Sequence, residues 1–196
     1  MELVWEPMLT GGHQAPAAAQ PDDAGLMARY RGGDGHAFEE LYRRHRGPLY
    51  RFIASQMRGR GEADEVFQEV WMAVVQSRER YQPSARFITF LFSIAHRRIA
   101  DRARKAIRRP VAPMPDDAPD MALGPAHLAE SAALGLALAA ALATLSPQQR
   151  EAFLLRAEGD LSVEEIAQVT GVPFETAKSR LKYANRALRE KLDAWR

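Results

Sequence analysis

"SVEEIAQVTGVPFETAKSRLKYANRALREKL", residues 162–192, carries the pattern that decides the fold. Ser162 followed by Glu165 three positions on is a capping box, which satisfies the unpaired N–H groups of a helix start. Ile166, Ala167 and Val169 are the apolar positions of the short helix it opens. Thr170-Gly171-Val172 breaks the period, and Pro173 starts a second helix. In that helix Ala177, Leu181, Ala184 and Leu188 recur at spacings of three and four, so one face is buried. Lys178, Arg180, Lys182, Arg186, Arg189 and Lys191 cover the remaining surface. Helix, short glycine turn, helix is helix-turn-helix spacing, in which the second helix enters a major groove. A helical hairpin is also a common structural element, and a charge run is most often a solvated face. The concentration of positive charge on the second helix favours contact with nucleic acid.

Working outward, Ser146-Pro147-Gln148-Gln149 is another helix start, with a serine cap, proline at the first helical position and glutamine three after the cap. Residues 131–196 therefore read as one small helical domain. Residues 110–130 hold five prolines, four acidic residues and no lysine or arginine, the composition of an extended, flexible linker. Residues 23–109 show repeated helical periodicity with few breakers. Residues 1–22, with Pro7, Pro16, Pro21 and paired glycines, read as a flexible tail. No alternating strand pattern and no internal repeat occurs, so the expected fold is all-α, two small helical domains joined by a Pro-rich acidic linker.

In the first domain, Phe38, Leu41, Tyr42, His45, Leu49, Phe52 and Ile53 form a long core stripe, with a kink expected at Pro48. "EADEVFQEVWMAVV", 62–75, places Ala63, Val66, Phe67, Val70, Trp71, Val74 and Val75 on one face and Asp64, Glu65, Gln68 and Glu69 opposite. Carboxylates repel phosphate, so that polar face is either solvated or docks on a basic protein. From His96 to Arg109 there are seven lysines or arginines and one aspartate. Arg97, Asp101, Arg104 and Arg108 fall in one helical row, and Arg98, Arg102, Lys105 and Arg109 in the next. Such a stripe is an electrostatic footprint for a phosphate backbone. Phe87, Phe90 and Phe92 precede it; aromatics there either pack in the core or stack on unpaired bases, and Phe87 and Phe90 are expected in the core. The loop "RYQPSAR", 80–86, is polar and positively flanked, a place that could hold an extruded base. "RGGDG", 31–35, is a turn.

Composition removes other classes. The 196 residues contain no cysteine, which excludes disulfides and cysteine-based zinc sites and suits a reducing cytoplasm. The five histidines, at 13, 36, 45, 96 and 127, have no ligand spacing, and no phosphate loop, nucleophile elbow or metalloprotease motif occurs. No cofactor, metal or catalytic residue is expected. The Ala-rich run 132–145 is shorter than the roughly 18 apolar residues of a membrane span, and Arg29 is the first basic residue, unlike a signal peptide. No membrane insertion is expected. Net charge is only +2, so the basic patches are a matter of distribution.

Together these motifs resemble the sigma-70 family of RNA polymerase sigma factors, of the extracytoplasmic function (ECF) type. "EADEVFQEVW" (62–71) resembles region 2.2, whose polar face binds the clamp helices of the polymerase β′ subunit. "ARFITFLFSIAHRRIADRAR" (85–104) resembles regions 2.3 and 2.4, which melt and read the −10 element. The stretch from Ala141 to Leu192 resembles region 4, including a Thr-x-Lys-Ser-Arg-Leu segment that reads the −35 element. The resemblance spans about residues 24–193 and leaves no room for a region 3. It departs at Phe90, where tryptophan is common, at Arg97, where asparagine is common, and at Ala177, where valine is usual.

The resemblance implies Asp64, Glu65, Gln68 and Glu69 as core-polymerase contacts. It implies Ser84, Arg86, Arg97, Arg98, Arg102, Arg104 and Lys105 at the −10 DNA, and Thr176, Lys178, Ser179, Arg180, Lys182, Tyr183 and Arg186 at the −35 DNA. It further implies core RNA polymerase (β′ clamp helices, β flap) and promoter DNA as partners, an anti-sigma factor for many members, and a cytoplasmic location. The rival readings are a stand-alone helix-turn-helix regulator, which would leave the 64–69 face idle, a nucleic-acid-modifying enzyme, which lacks a catalytic cluster, and a scaffold for acidic proteins.

Overall fold

The computed structural model describes residues 21–57, 59–79, 81, 86–108 and 128–193, with side chains described at 21–57, 59–79, 81, 86–105 and 135–192. Every element among the described residues is an α-helix. Four of them begin at side-chain caps that the sequence supplies, at Asp22, Asp34, Ser146 and Ser162. Asp22 accepts from the Gly25 amide and opens α1 (Asp23–Arg31). Gly33, at φ 97°, turns the chain so that Asp34 can accept from His36 and Ala37 and open α2 (Gly35–Ala54). The "RGGDG" turn is thus also a helix cap. α2 runs through Pro48 as one continuous element, so the expected kink does not interrupt it. α3 (Arg60–Gln76) and α4 (Phe87–Arg108) complete the first unit.

α1–α4 bury one face each. Leu26 and Met27 of α1, Leu41, Leu49, Phe52 and Ile53 of α2, Val66, Val70 and Val74 of α3, and Leu91 and Phe92 of α4 are almost wholly buried. Phe52 and Phe92 pack with ring centroids 5.0 Å apart, and Tyr42 lies 4.9 Å from Trp71. Phe87 and Phe92 are both core, and Phe90 is half-buried against Tyr81. Val75, expected on the buried face of α3, is exposed instead. His45 lies in the core stripe but is not apolar packing alone: its Nε2 is 2.6 Å from the Asp23 carboxylate.

The second unit comprises α5 (Leu128–Ala143), α6 (Pro147–Gly159), α7 (Val163–Thr170) and α8 (Phe174–Asp193). α5 begins three residues before the expected domain start, and the expected linker and N-terminal tail otherwise lie largely outside the described residues. Both expected capping boxes form, at Ser146/Gln149 and Ser162/Glu165. Gly171, at φ 66°, ends α7 in the left-handed region where a side chain is strained. Pro173 stands just ahead of α8, its carbonyl accepting from the Thr176 and Ala177 amides. Ala177, Ala184 and Leu188 of α8 are buried as the spacing predicts, and Ala141 of α5 and Leu145 just after it close on Ala184 and Leu188.

The two units share a core. Leu154, Leu155, Leu161, Ile166 and Val169 join the same buried cluster as α1–α4. α6 packs on α2 and α4, and α7 packs on α4. Gly159 lies in this seam: a Cβ there would lie 3.6 Å from the Phe92 ring and 3.1 Å from Leu161. Polar bonds line the same seam. Arg51 pairs with Glu158 at 2.7 Å, and His96 Nδ1 lies 2.6 Å from Glu151. Thr89 donates to Glu165 at 2.6 Å, and Arg86 donates to Glu165 and to the Asp160 carbonyl, both at 3.2 Å.

Candidate polymerase and promoter interfaces

Three exposed faces of this helical body collect the residues that the sequence singles out. On α3, Glu65 and Gln68 are exposed and Glu69 half-exposed, lining an open groove with Met72, Ala73, Gln76 and Arg98. Asp64 is turned aside, accepting from the Tyr50 hydroxyl at 2.8 Å. Burial and then this carboxylate raise the Tyr50 pKa above its ordinary value. Met72 is 58% exposed, an apolar contact in the middle of a polar groove.

On α4 the basic residues divide. Arg102 donates to Glu65 and Glu69 at 2.8 Å each, with its side chain 23% exposed. These hydrogen bonds, donated to Glu69 first and then to Glu65, raise the Arg102 pKa further above an already high value. Arg98 approaches Glu69 at 4.0 Å. The expected polymerase face and the expected −10 face are therefore neighbours that share carboxylates. Arg104 pairs with Asp101 three residues before it. Arg97 and Lys105 are exposed, and neither has an ion pair among the described residues. Arg86 lies in the seam with Glu165, and Ser84 falls outside the described residues.

On α8 the face opposite Ala177, Leu181, Ala184 and Leu188 carries the expected −35 residues. Ser179 and Lys182 are exposed, Tyr183 is 56% exposed, and Thr176 and Arg180 are half-buried. Lys178 sits 5.6 Å from the Phe174 ring centroid and 3.4 Å from Glu175, and Arg186 bonds Glu190 at 2.8 Å. Glu175, Thr176, Ser179, Arg180 and Tyr183 line one open groove with Ser146, Gln148 and Gln149 from the start of α6. Among the described residues no group of histidine or acidic side chains could hold a metal ion, and no helix is long and apolar enough to cross a membrane.

Known proteins share this arrangement. Residues 41–109 match the family Sigma-70 region 2, and residues 135–188 match Sigma-70, region 4. The RNA polymerase sigma factor CarQ of Myxococcus xanthus is 33% identical over 177 residues, covering 85% of this chain and 95% of CarQ. This chain belongs to the ECF group of sigma-70 factors. The ECF sigma factor RpoE of Cereibacter sphaeroides is 33% identical over 162 residues, covering 80% of this chain and 87% of RpoE. Among solved structures, that of CnrH in complex with the cytosolic domain of CnrY aligns with a TM-score of 0.63 at 26% identity, covering 88% of this chain and 97% of CnrH. The Bartonella quintana sigma factor RpoE in complex with the anti-sigma factor NepR shares the fold, with a TM-score of 0.61.

As an ECF sigma factor the chain binds RNA polymerase and directs initiation at promoters. Sequence reasoning missed two residues on the faces of this sigma factor. Met72 lies three, four and seven positions beyond Glu69, Gln68 and Glu65, so helical spacing alone puts it in their row. Glu175 stands four and seven positions before Ser179 and Lys182, on the same helical row. The chemistry of each, apolar in one case and acidic in the other, differs from that of its neighbours, so residue type alone does not single it out.

Proposed function

We propose that the α3 groove docks on core polymerase through Glu65, Gln68, Glu69 and Met72, that α4 meets the −10 element, and that α8 reads the −35 element. The observation carrying this reading is the disposition of charge. A polar acidic groove on α3 lies beside the basic end of α4, and α8 turns its basic face away from its own core. A basic protein surface fits the first, and phosphate backbones fit the other two. Arg97 and Lys105 are the strongest candidates for phosphate contact on α4. Arg102, held by two carboxylates, acts as a brace between α3 and α4.

The work done is recognition and strand opening, without covalent catalysis. Binding of unpaired bases at region 2 offsets the cost of melting, and region 4 anchors the duplex upstream. The residues between the two units, with Asp116, Asp117 and Asp120, thread an acidic segment through the polymerase. The location is cytoplasmic, where polymerase and promoters are. A protein anti-sigma factor is a further partner, by likeness to the complexes with CnrY and NepR. A stand-alone helix-turn-helix regulator would have no use for the α3 groove.

Reconstituted transcription tests this: purified chain, core polymerase and a genomic DNA library, with start sites mapped. New start sites that share upstream and downstream elements are expected. A set of start sites identical to that of core polymerase alone would overturn the reading.

A further inference from the structure

We infer that Met72 is an oxidation switch: conversion of its thioether to the sulfoxide in the free chain weakens docking on core polymerase, and reduction restores it. This rests on the reading of the α3 groove as the polymerase-docking face.

The position comes first. The chain holds seven methionines and no cysteine, so an oxidant that reaches it meets thioethers and finds no thiol. Among the described side chains Met27 is wholly buried, Met57 packs against the core and Met72 is 58% exposed. Met72 lies in the groove with Glu65, Gln68 and Glu69. Val75, one turn on, is 41% exposed, so the two make an apolar pair beside the acidic row. In the free chain that pair stands in water, and only a partner can bury it. The unbranched, polarisable Met72 side chain suits an irregular apolar recess, while the carboxylates beside it suit basic groups around the recess.

The chemistry comes second. The Met72 Sδ lone pair attacks one oxygen of hydrogen peroxide. The S–O bond forms as the O–O bond breaks, and the departing hydroxide takes the remaining hydroxyl proton and leaves as water. Sulfur loses two electrons and the peroxide gains them. The product is a polar, chiral sulfoxide in place of a flexible apolar side chain. Its oxygen must shed water before Met72 can enter an apolar recess, and burial of an unpaired polar group is unfavourable. The sulfoxide is returned to the thioether by methionine sulfoxide reductases, one for each epimer. A dithiol gives up two electrons and two protons, becomes a disulfide, and the oxygen leaves as water.

The test treats the full chain with hydrogen peroxide, removes the peroxide with catalase, and titrates the chain against untreated core polymerase. Mass spectrometry of the peptide containing Met72 measures its oxidation. Wild type and Met72→Leu are each compared with their own untreated sample, so any effect of leucine on the starting affinity cancels. Treated wild type should bind core about tenfold more weakly or worse, and the two reductases with a dithiol should restore it. Treated and untreated Met72→Leu should bind alike. Equal losses in wild type and Met72→Leu would place the effect at another residue and overturn the inference. Full binding by wild type with Met72 oxidised, or a Met72 that resists peroxide sufficient to oxidise free methionine, would overturn it too. A second arm keeps the docking reading separate. Holoenzyme assembled before peroxide is added should shield Met72 relative to the free chain. Equal oxidation of Met72 in both, with full capture by Glu69→Lys, would overturn the docking reading and the switch with it. Shielding without any loss of binding by the sulfoxide would overturn the switch alone.

Discussion

Glu165→Ala should lower the melting temperature of the full chain by about 4–20 °C. Three bonds converge on this carboxylate. Oε2 accepts from the Ser162 amide at 2.8 Å, closing the capping box of α7. Oε1 accepts from the Thr89 hydroxyl at 2.6 Å, and Thr89 is only 1% exposed. Arg86 adds an ion pair at 3.2 Å with its own side chain largely in solvent. Losing a cap contact costs about 1 kcal/mol. Stranding a buried hydroxyl costs about 1–3 kcal/mol. The half-exposed ion pair contributes about 0–1 kcal/mol. The sum is roughly 2–5 kcal/mol, and each kcal/mol moves the midpoint by about 2–4 °C at this size. Glu165→Gln is the control. A carboxamide can still accept from Ser162 and donate to the Thr89 oxygen, so only the Arg86 share, about 1 kcal/mol or less, is lost. Thermal denaturation followed by circular dichroism measures both. A Glu165→Ala midpoint within about 1 °C of wild type would refute the account of the seam.

Acid should act on the same carboxylate. Burial alone would raise the Glu165 pKa, but Thr89, the Ser162 amide and Arg86 outweigh it and hold it below the ordinary 4.5. Its contribution is therefore fully present above pH 4.5 and is lost as pH falls through the lowered value. Melting scans from pH 7 to pH 3 should show a flatter acid limb for Glu165→Gln, and parallel limbs would contradict this. On α3, Glu69→Lys or Gln68→Ala should weaken capture of core polymerase with unchanged circular dichroism; full capture by both variants would sink the docking assignment. On α8, alanine at Lys178, Ser179, Arg180 and Lys182 together should abolish transcription from a mapped promoter, and lost base contacts among them should each cost about 1–3 kcal/mol. Undiminished transcription would mean that the recognition helix lies elsewhere.

Local physics was legible in the sequence and distant pairing was not. Ser146 with Gln149 and Ser162 with Glu165 could be read because a capping box spans three residues. The stripe of Ala177, Leu181, Ala184 and Leu188 could be read because helical spacing is fixed. The meeting of Glu165 with Thr89, of Glu151 with His96 and of Glu158 with Arg51 has no sequence period, since each joins residues more than fifty positions apart. Glu165 was visible as a cap, but its second task was not. Arg102 looked like a phosphate contact because its row is basic; the carboxylates that occupy it lie on another helix. Val75 follows buried Val74 and is turned about 100° away from it, which a count of apolar residues overlooks.

The seam at Gly159 and Phe92 has a consequence for how much of this protein a cell must make. Arg86 is occupied there by Glu165 and the Asp160 carbonyl, so a ligand that needs Arg86 must first find the chain released. Only the released fraction is competent, and the apparent dissociation constant rises in inverse proportion to that fraction. Every 1.4 kcal/mol held in the seam thus demands about tenfold more protein for the same occupancy of its target. Substitutions at Gly159, remote from α3 and α8, would then alter the expression threshold at which the regulon responds, leaving its membership unchanged.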